Sequence, residues 1–307
     1  LEVDGVTKRY GRSTVVDDLS FTVEPGRVTG FLGPNGSGKS TTMKILLGLA
    51  SADEGRATIG GCAYRELDDP MGTVGVILEP NAFHPGRTGR NHLRIVADAA
   101  GIPHARVEEL LDEVGLSGGA AEKRVGAYSL GMRQRLSLAA ALLGDPPVLV
   151  LDEPANGLDP QGIHALRDLL RARAANGDTV LVSSHLLAEI ELLADDLVVI
   201  DRGRLVTSGA MADLRQTACL VRTPDAEDLE SELIAAGGAV DRGDDDTLIV
   251  RGLALDEIGR RAFDRRIVLH ELSPRAGSLE ELFLGWTADQ AKDDGPGQRP
   301  EEGAVKP

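Results

Sequence analysis

The chain has 307 residues, 42% hydrophobic and 27% charged, with 49 acidic against 33 basic side chains and a net charge of −16. That length suits one large α/β domain and a smaller one, and the acidic excess disfavours direct binding to nucleic acid or an anionic lipid surface. Cys62 and Cys219 are isolated and lack metal-ligand spacing, so they read as reduced thiols; no run of 18 or more apolar residues occurs, which predicts neither a membrane span nor a signal peptide.

Residues 1–6, 15–16, 19–23 and 27–31 read as short strands punctuated by Gly11, Pro25 and Gly26, an antiparallel piece leading into a buried strand. Tyr10 falls on a loop-like KRYG stretch, where a flat ring can stack on a nucleobase. The segment FLGPNGSGKSTT follows, and Gly33, Gly38, Lys39 and Ser40 match G-x-x-x-x-G-K-[ST] between a strand and a helical pattern. The chemistry explains the spacing. The loop Gly33-Pro34-Asn35-Gly36-Ser37-Gly38 curls so that successive N–H groups face phosphate oxygens. The helix opening at Lys39-Ser40-Thr41 turns its positive end to the same anion. Lys39 brings a mobile charge to the β- and γ-phosphates, and Ser40 a hydroxyl for Mg²⁺. This is a nucleotide site.

A strand at 55–59 and an apolar run at 74–78 ending in Glu79-Pro80 come next, then helical patterns at 91–100 and 104–116. Ser129 caps a helix running to 143; its hydroxyl and the free N–H groups after it form a second anion site, which needs either a second ligand or a second subunit. In VLVLDEP, four consecutive apolar residues mark a parallel strand buried on both faces, with Asp152 and Glu153 at its carboxyl end, where open α/β sheets bind ligands. Asp152 can hold Mg²⁺ through water, while Glu153 polarises the attacking water. A helix at 161–175 leads to a second buried strand, 179–182, ending in Ser183-Ser184-His185. His185 there can hydrogen-bond the γ-phosphate and the attacking water. A further helix (186–193), a strand (197–200) and a turn (201–204) complete a unit whose alternation argues a mainly parallel sheet with flanking helices.

Near residue 215 the pattern changes. Residues 218–287 carry a strand (219–222), a helix (226–236), two strands around the acidic turn 244–246, a helix (255–263), a strand (267–272) and a helix (278–286). The predicted organisation is therefore an α/β domain over 1–215, an α+β accessory domain over 216–287 and an aperiodic, disordered tail over 288–307.

Taken together, GPNGSGKST, YSLGMRQRL, VLVLDEP, NGLD and SSH, in this order over residues 1–215, resemble the nucleotide-binding subunit of ATP-binding-cassette (ABC) transporters. The resemblance implies a P-loop NTPase fold: a mainly parallel sheet with flanking helices, an antiparallel β subdomain and a helical subdomain. It also implies two such domains closed face to face around two ATP molecules with Mg²⁺; a homodimer of this chain is expected, with a heterodimer the open alternative. Carried over by position, Ser129 and Gly131 contact the partner's γ-phosphate and Asp159 communicates across the interface. Glu153 is the base, His185 the switch histidine, and Tyr10 stacks on adenine. The SLGMRQRL variant, GRTGRNHLR at 86–94 and SLEELFLGWT at 278–287 are similar to bacterial drug- and antibiotic-export subunits. In these, one ATPase polypeptide drives a separate membrane permease from the cytoplasmic face of the plasma membrane, docking near residues 79–100.

Two departures matter. The signature, usually L-S-G-G-Q, is Tyr128-Ser129-Leu130-Gly131-Met132, so Leu130 and Met132 add bulk. The lid glutamine falls at Glu79, whose carboxylate can still ligand Mg²⁺ but adds negative charge near the γ-phosphate, predicting slow basal turnover. The rival reading is a soluble ABC ATPase acting on ribosomes or nucleic acid, which the single cassette and the charge of −16 disfavour. A GTPase or small kinase lacks support because no N-K-x-D motif occurs and residues 129–136 go unexplained.

Overall fold

Two sheets and a set of helices build the first part of the chain around the loop that follows residue 32. The computed structural model describes residues 1–78, 83–214, 217–244 and 246–276. The described chain divides into two units, Leu1–Met211 and one beginning at Ala212. Within the first unit, β1 (Glu2–Tyr10) and β2 (Ser13–Thr22) form a hairpin whose register closes at Tyr10↔Ser13. Tyr10 is thus the last residue of a strand rather than part of a loop. The two-residue turn Gly11-Arg12, with Gly11 at φ 61°, lets pairing run to the tip.

Next come β3 (Val28–Leu32), buried throughout, α1 (Lys39–Leu46) and β4 (Glu54–Thr58), which adds antiparallel to β1. Then follow α2 (Pro70–Thr73), β5 (Val74–Ile77), α3 (Gly89–Ala100), α4 (His104–Glu113), α5 (Gly119–Glu122) and α6 (Leu130–Ala141). Helices α3 to α6 pack on one another over buried Leu93, Leu110, Leu111 and Leu136. The chain continues through β6 (Val148–Asp152), α7 (Pro160–Ala175), β7 (Thr179–Ser184), α8 (Leu187–Leu193) and β8 (Asp196–Asp201). It then turns back as β9 (Arg204–Ala210) before α9 (Met211–Leu214).

The main sheet has the order β5-β6-β7-β3-β8-β9, parallel except for β9, which runs antiparallel on β8. The sequence pattern ends at a turn over 201–204 and contains no β9. That turn is a hairpin tip, with Arg202 at φ 46° and Gly203 at φ 83°. The strand behind it has no mark in the sequence because RLVTSGA lies at the sheet edge, half exposed, without clean alternation. Val3, Val6, Leu19, Phe31, Met43, Val150 and Ile200 belong to one apolar cluster joining the antiparallel sheet to the main one. The loop after β3 is therefore anchored on both sides.

The second unit is a β-α-β-β-α-β plait of β10 (Thr217–Arg222), α10 (Ala226–Ala235), β11 (Ala239–Arg242), β12 (Thr247–Arg251), α11 (Leu255–Asp264) and β13 (Glu271–Ala276). Its sheet order is β11-β12-β10-β13, all antiparallel, around buried Val221, Leu229, Leu233, Leu248, Val250 and Ile258. The last strand starts later than the expected 267–272. Ile267 and Leu269 pack on the core from an extended link, and pairing begins at Glu271 on the sheet edge, where Pro274 is tolerated. Glu79, the expected helix at 278–286 and the tail at 288–307 lie outside the described residues.

Candidate functional site

Strand β3 delivers its chain to Gly33, and α1 begins at Lys39 with Gly38 as N-cap at φ 105° and no side-chain cap. An uncapped start leaves the first N–H groups of the helix for an anion. Glycine is required at 38: besides its positive φ, an added Cβ would sit 2.7 Å from the Val15 carbonyl oxygen. Lys39 is buried and folds back on the loop, its Nζ donating to the Gly33 oxygen at 2.6 Å and the Pro34 oxygen at 3.1 Å. Burial pulls its pKa down, and the charges of Glu153 and Asp152 oppose that fall. A cavity of about 220 Å³ opens here, lined among others by Asn35, Gly36, Lys39, Ser40, Thr41 and Glu153. Pro34 and Ser37 complete the turn, the Ser37 N–H donating to the Pro34 oxygen at 3.1 Å.

The opposite wall comes from two adjacent parallel strands. In the β6–β7 register Asp152 lies against Ser183. Asp152 is buried and its carboxylate accepts a hydrogen bond from the Ser183 hydroxyl. One residue on, the chain leaves strand geometry, with Glu153 at φ 50°. That conformation re-aims the carboxylate, which meets His185 Nδ1 at 2.8 Å through Oε2 and Asn156 Nδ2 at 3.5 Å. So the loop, Asp152, Glu153 and His185 occupy one place at the carboxyl ends of β3, β6 and β7.

The remaining candidates form a second cluster. Ser129 caps α6, its Oγ accepting the Met132 N–H at 3.2 Å. Gly131 passes so close to the loop before α7 that an added Cβ would lie 2.7 Å from the Gly157 oxygen. Asp159 caps α7, accepting the Gly162 N–H at 3.0 Å, and pairs with Arg135 at 3.1 Å. The backbone bond from Gly162 first, and Arg135 after it, hold the Asp159 carboxyl below its ordinary range. None of Ser129, Gly131 and Asp159 lines the cavity at the phosphate-type loop. Tyr10, 52% exposed at the hairpin tip with Lys8 Nζ 5.3 Å from its ring centre, stands outside that lining too.

Ser183 and Gln134 were not singled out from the sequence. Gln134 is buried on α6, and its Nε2 reaches the Glu153 carbonyl oxygen at 3.5 Å. Standing between Arg133 and Arg135, it carries no local mark of a buried contact. For Ser183, the strand alternation held a signal: Ser183 and Ser184 point to opposite faces, so one of the two had to approach Asp152.

The family model described as ABC transporter matches residues 16–156, and one described as a domain of unknown function matches residues 217–280. The bacitracin transport ATP-binding protein of Enterococcus faecalis is 41% identical over 221 residues, 70% of this chain and 71% of its own length. A Nod factor export ATP-binding protein of Ralstonia nicotianae is 42% identical over 223 residues, covering 70% of this chain and 68% of that one. A solved ATP-binding subunit of an ABC transporter superposes with a TM-score of 0.64 at 32% identity, over 70% of this chain and 91% of the other. The phosphate-type loop, the acidic strand end and these likenesses lead to one assignment: the chain belongs to the ATP-binding proteins of ABC transporters and is an ATPase.

Proposed function

We propose that this chain is the ATP-hydrolysing subunit of an exporter, acting on a separate permease from the cytoplasmic face of the plasma membrane and moving a drug or antibiotic. The observation that carries the mechanism is that Glu153, which lines the cavity together with Lys39, meets His185 at 2.8 Å. Lys39 and the uncapped N–H groups of α1 bind the phosphates; Glu153, held by His185, takes the proton of the attacking water; His185 steadies the γ-phosphate. Tyr10 stacks on the base from the hairpin tip. Ser40 and Asp152 offer hard oxygen donors that suit Mg²⁺, with Glu79 a further carboxylate. When bound, that ion neutralises charge on the phosphate oxygens.

Ser129, Gly131 and Asp159 face a second copy of this chain, whose ATP they close in a homodimer. Their separation from the loop cavity and the accessible start of α6 support that reading. Among the described residues no helix is long and apolar enough to cross a membrane, which fits a permease on another polypeptide. The export assignment draws on relatives named for bacitracin transport and Nod factor export. Residues 1–215 serve as the cassette, and the plait within 216–287 acts as an accessory domain. The test is Glu153→Gln: ATP binding persists, turnover is lost and an ATP-bound dimer accumulates in size-exclusion chromatography. Undiminished hydrolysis removes Glu153 as the base.

A further inference from the structure

The two serines before His185 have different surroundings. Ser184 Oγ donates to Glu189 Oε2 at 3.0 Å and accepts the Leu186 N–H at 3.0 Å, so it serves the entry to α8. Ser183 is fully buried and faces β6. Its hydroxyl donates to Asp152 Oδ1 and accepts the Glu153 N–H at 2.9 Å. The direction of this chain is forced: a backbone N–H can only donate and a carboxylate can only accept, so one hydroxyl hydrogen and one lone pair are both committed. The bonded N–H belongs to a residue at φ 50°, an unfavourable region for a non-glycine side chain that persists only where neighbours over-determine it. On the other side of that residue, Gln134 Nε2 reaches the Glu153 carbonyl at 3.5 Å, and the Asn156 N–H donates to the same oxygen at 3.2 Å.

We infer that Ser183 is a positioning residue for hydrolysis: one buried hydroxyl fixes the Asp152 carboxylate and, in the same act, the backbone turn that aims the Glu153 carboxylate. The inference rests on the roles proposed for Asp152 and Glu153. A residue that only fills space between β6 and β7 is replaceable by alanine with little more than a small cavity. A residue that orients both carboxylates is not, because alanine leaves a buried carboxylate oxygen and a buried N–H without their partner.

The experiment compares Ser183→Ala and Ser183→Thr with wild type in three readings: steady-state ATPase against ATP, Mn²⁺ electron paramagnetic resonance during ATP titration, and thermal unfolding. Expected for Ser183→Ala is a kcat lowered by roughly 10- to 100-fold, the scale of a hydrogen bond to a charged group. KM for ATP stays within about twofold. The Mn²⁺ signal of the ATP complex changes, and Ser183→Thr, which keeps a hydroxyl, regains turnover. The inference is overturned if Ser183→Ala keeps wild-type kcat, or if its Mn²⁺ signal is unaltered. It is equally overturned if threonine is as impaired as alanine while both unfold at the wild-type temperature. Should both variants unfold early, Ser183→Cys, nearly isosteric and a weak donor, decides: turnover at the alanine level supports the inference and turnover at the wild-type level refutes it. A Glu153→Gln protein run alongside separates the cases, since its full activity sinks the proposed roles themselves, whereas its inactivity beside an active Ser183→Ala sinks only this inference.

Discussion

Gly131→Ala places a methyl group where the structure has no room for one. The new Cβ would lie 2.7 Å from the Gly157 oxygen, while ordinary contacts of this kind begin near 3.4 Å. One partner must therefore retreat by about 0.7 Å. Neither is free to do so cheaply: Gly131 is in the first turn of α6, and the 157 loop is pinned by Asp159 through Gly162 and Arg135. Overpacking of this size costs about 1–3 kcal/mol, which lowers the unfolding temperature by roughly 2–10 °C for a unit of this length. The functional loss exceeds the stability loss. On the proposed reading both shifted segments face the partner's ATP, and a displacement approaching 1 Å at a reacting site costs on the order of 100-fold in rate. The assay pairs fluorescence titration with labelled ATP against steady-state hydrolysis. Nucleotide affinity of the monomer stays at the wild-type value, because the loop from Gly33 to Ser40 is untouched, and hydrolysis falls. Wild-type turnover with a normal unfolding temperature would refute the packing argument; weakened monomer affinity would refute the separation of the two clusters.

Ser129→Arg puts a long cation at the cap of α6, so dimer closure is blocked while monomer affinity for ATP persists; light scattering with and without ATP reads this, and closure at wild-type concentration contradicts it. By resemblance Glu79 takes the place of the family's lid glutamine; on that reading Glu79→Gln raises basal ATPase, and an unchanged or lower rate rejects the charge argument. Arg173→Ala breaks the tie of α7 to Asp145, to Asp178 at 2.5 Å and to the Pro146 oxygen at 2.6 Å, lowering stability by about 1–2 kcal/mol in denaturant titration. The hydrogen bond from Arg173 holds Asp145 below its ordinary range, so its stabilisation exists above the unfolded carboxylate pKa and disappears as pH falls through the depressed folded value. The gap between wild type and Arg173→Ala accordingly narrows in acid; a gap constant with pH removes Asp145 from the account.

Much of this was legible because phosphate binding and parallel strands leave short, local marks. The loop from Gly33 to Ser40 needs glycine at fixed offsets, and VLVL before Asp152 needs burial on both faces; each is written in adjacent residues. The edge strand β9 left no such mark, since an edge is free to be irregular and polar. Strand β13 starts later than the apolar pattern because Ile267 and Leu269 are apolar for packing on the core of the second unit, not for pairing in the sheet. Ser183 and Gln134 were hidden for a different reason. Their partners lie 31 and 19 residues away in the chain, and only the β6–β7 register and the packing of α6 bring them together.

Helix α6 gives these distant contacts a common consequence. Its first turn carries Ser129 and Gly131; one turn later Gln134 reaches the Glu153 carbonyl and Arg135 holds Asp159. On the proposed reading, the groups that close on a partner's ATP are thus joined by hydrogen bonds to the groups that hydrolyse the chain's own. Glu153 is the natural receiver of such a movement. Its backbone sits in an unfavourable region, stored there at a cost on the order of 1–2 kcal/mol and maintained by bonds to Ser183, Gln134 and Asn156. These three bonds hold the turn after β6 and are not part of the β6–β7 ladder, so loosening one of them leaves that pairing in place. On that reading a displacement of α6 reaches the backbone of Glu153 through one side chain, Gln134, and the two sites of a dimer need no longer path to sense each other.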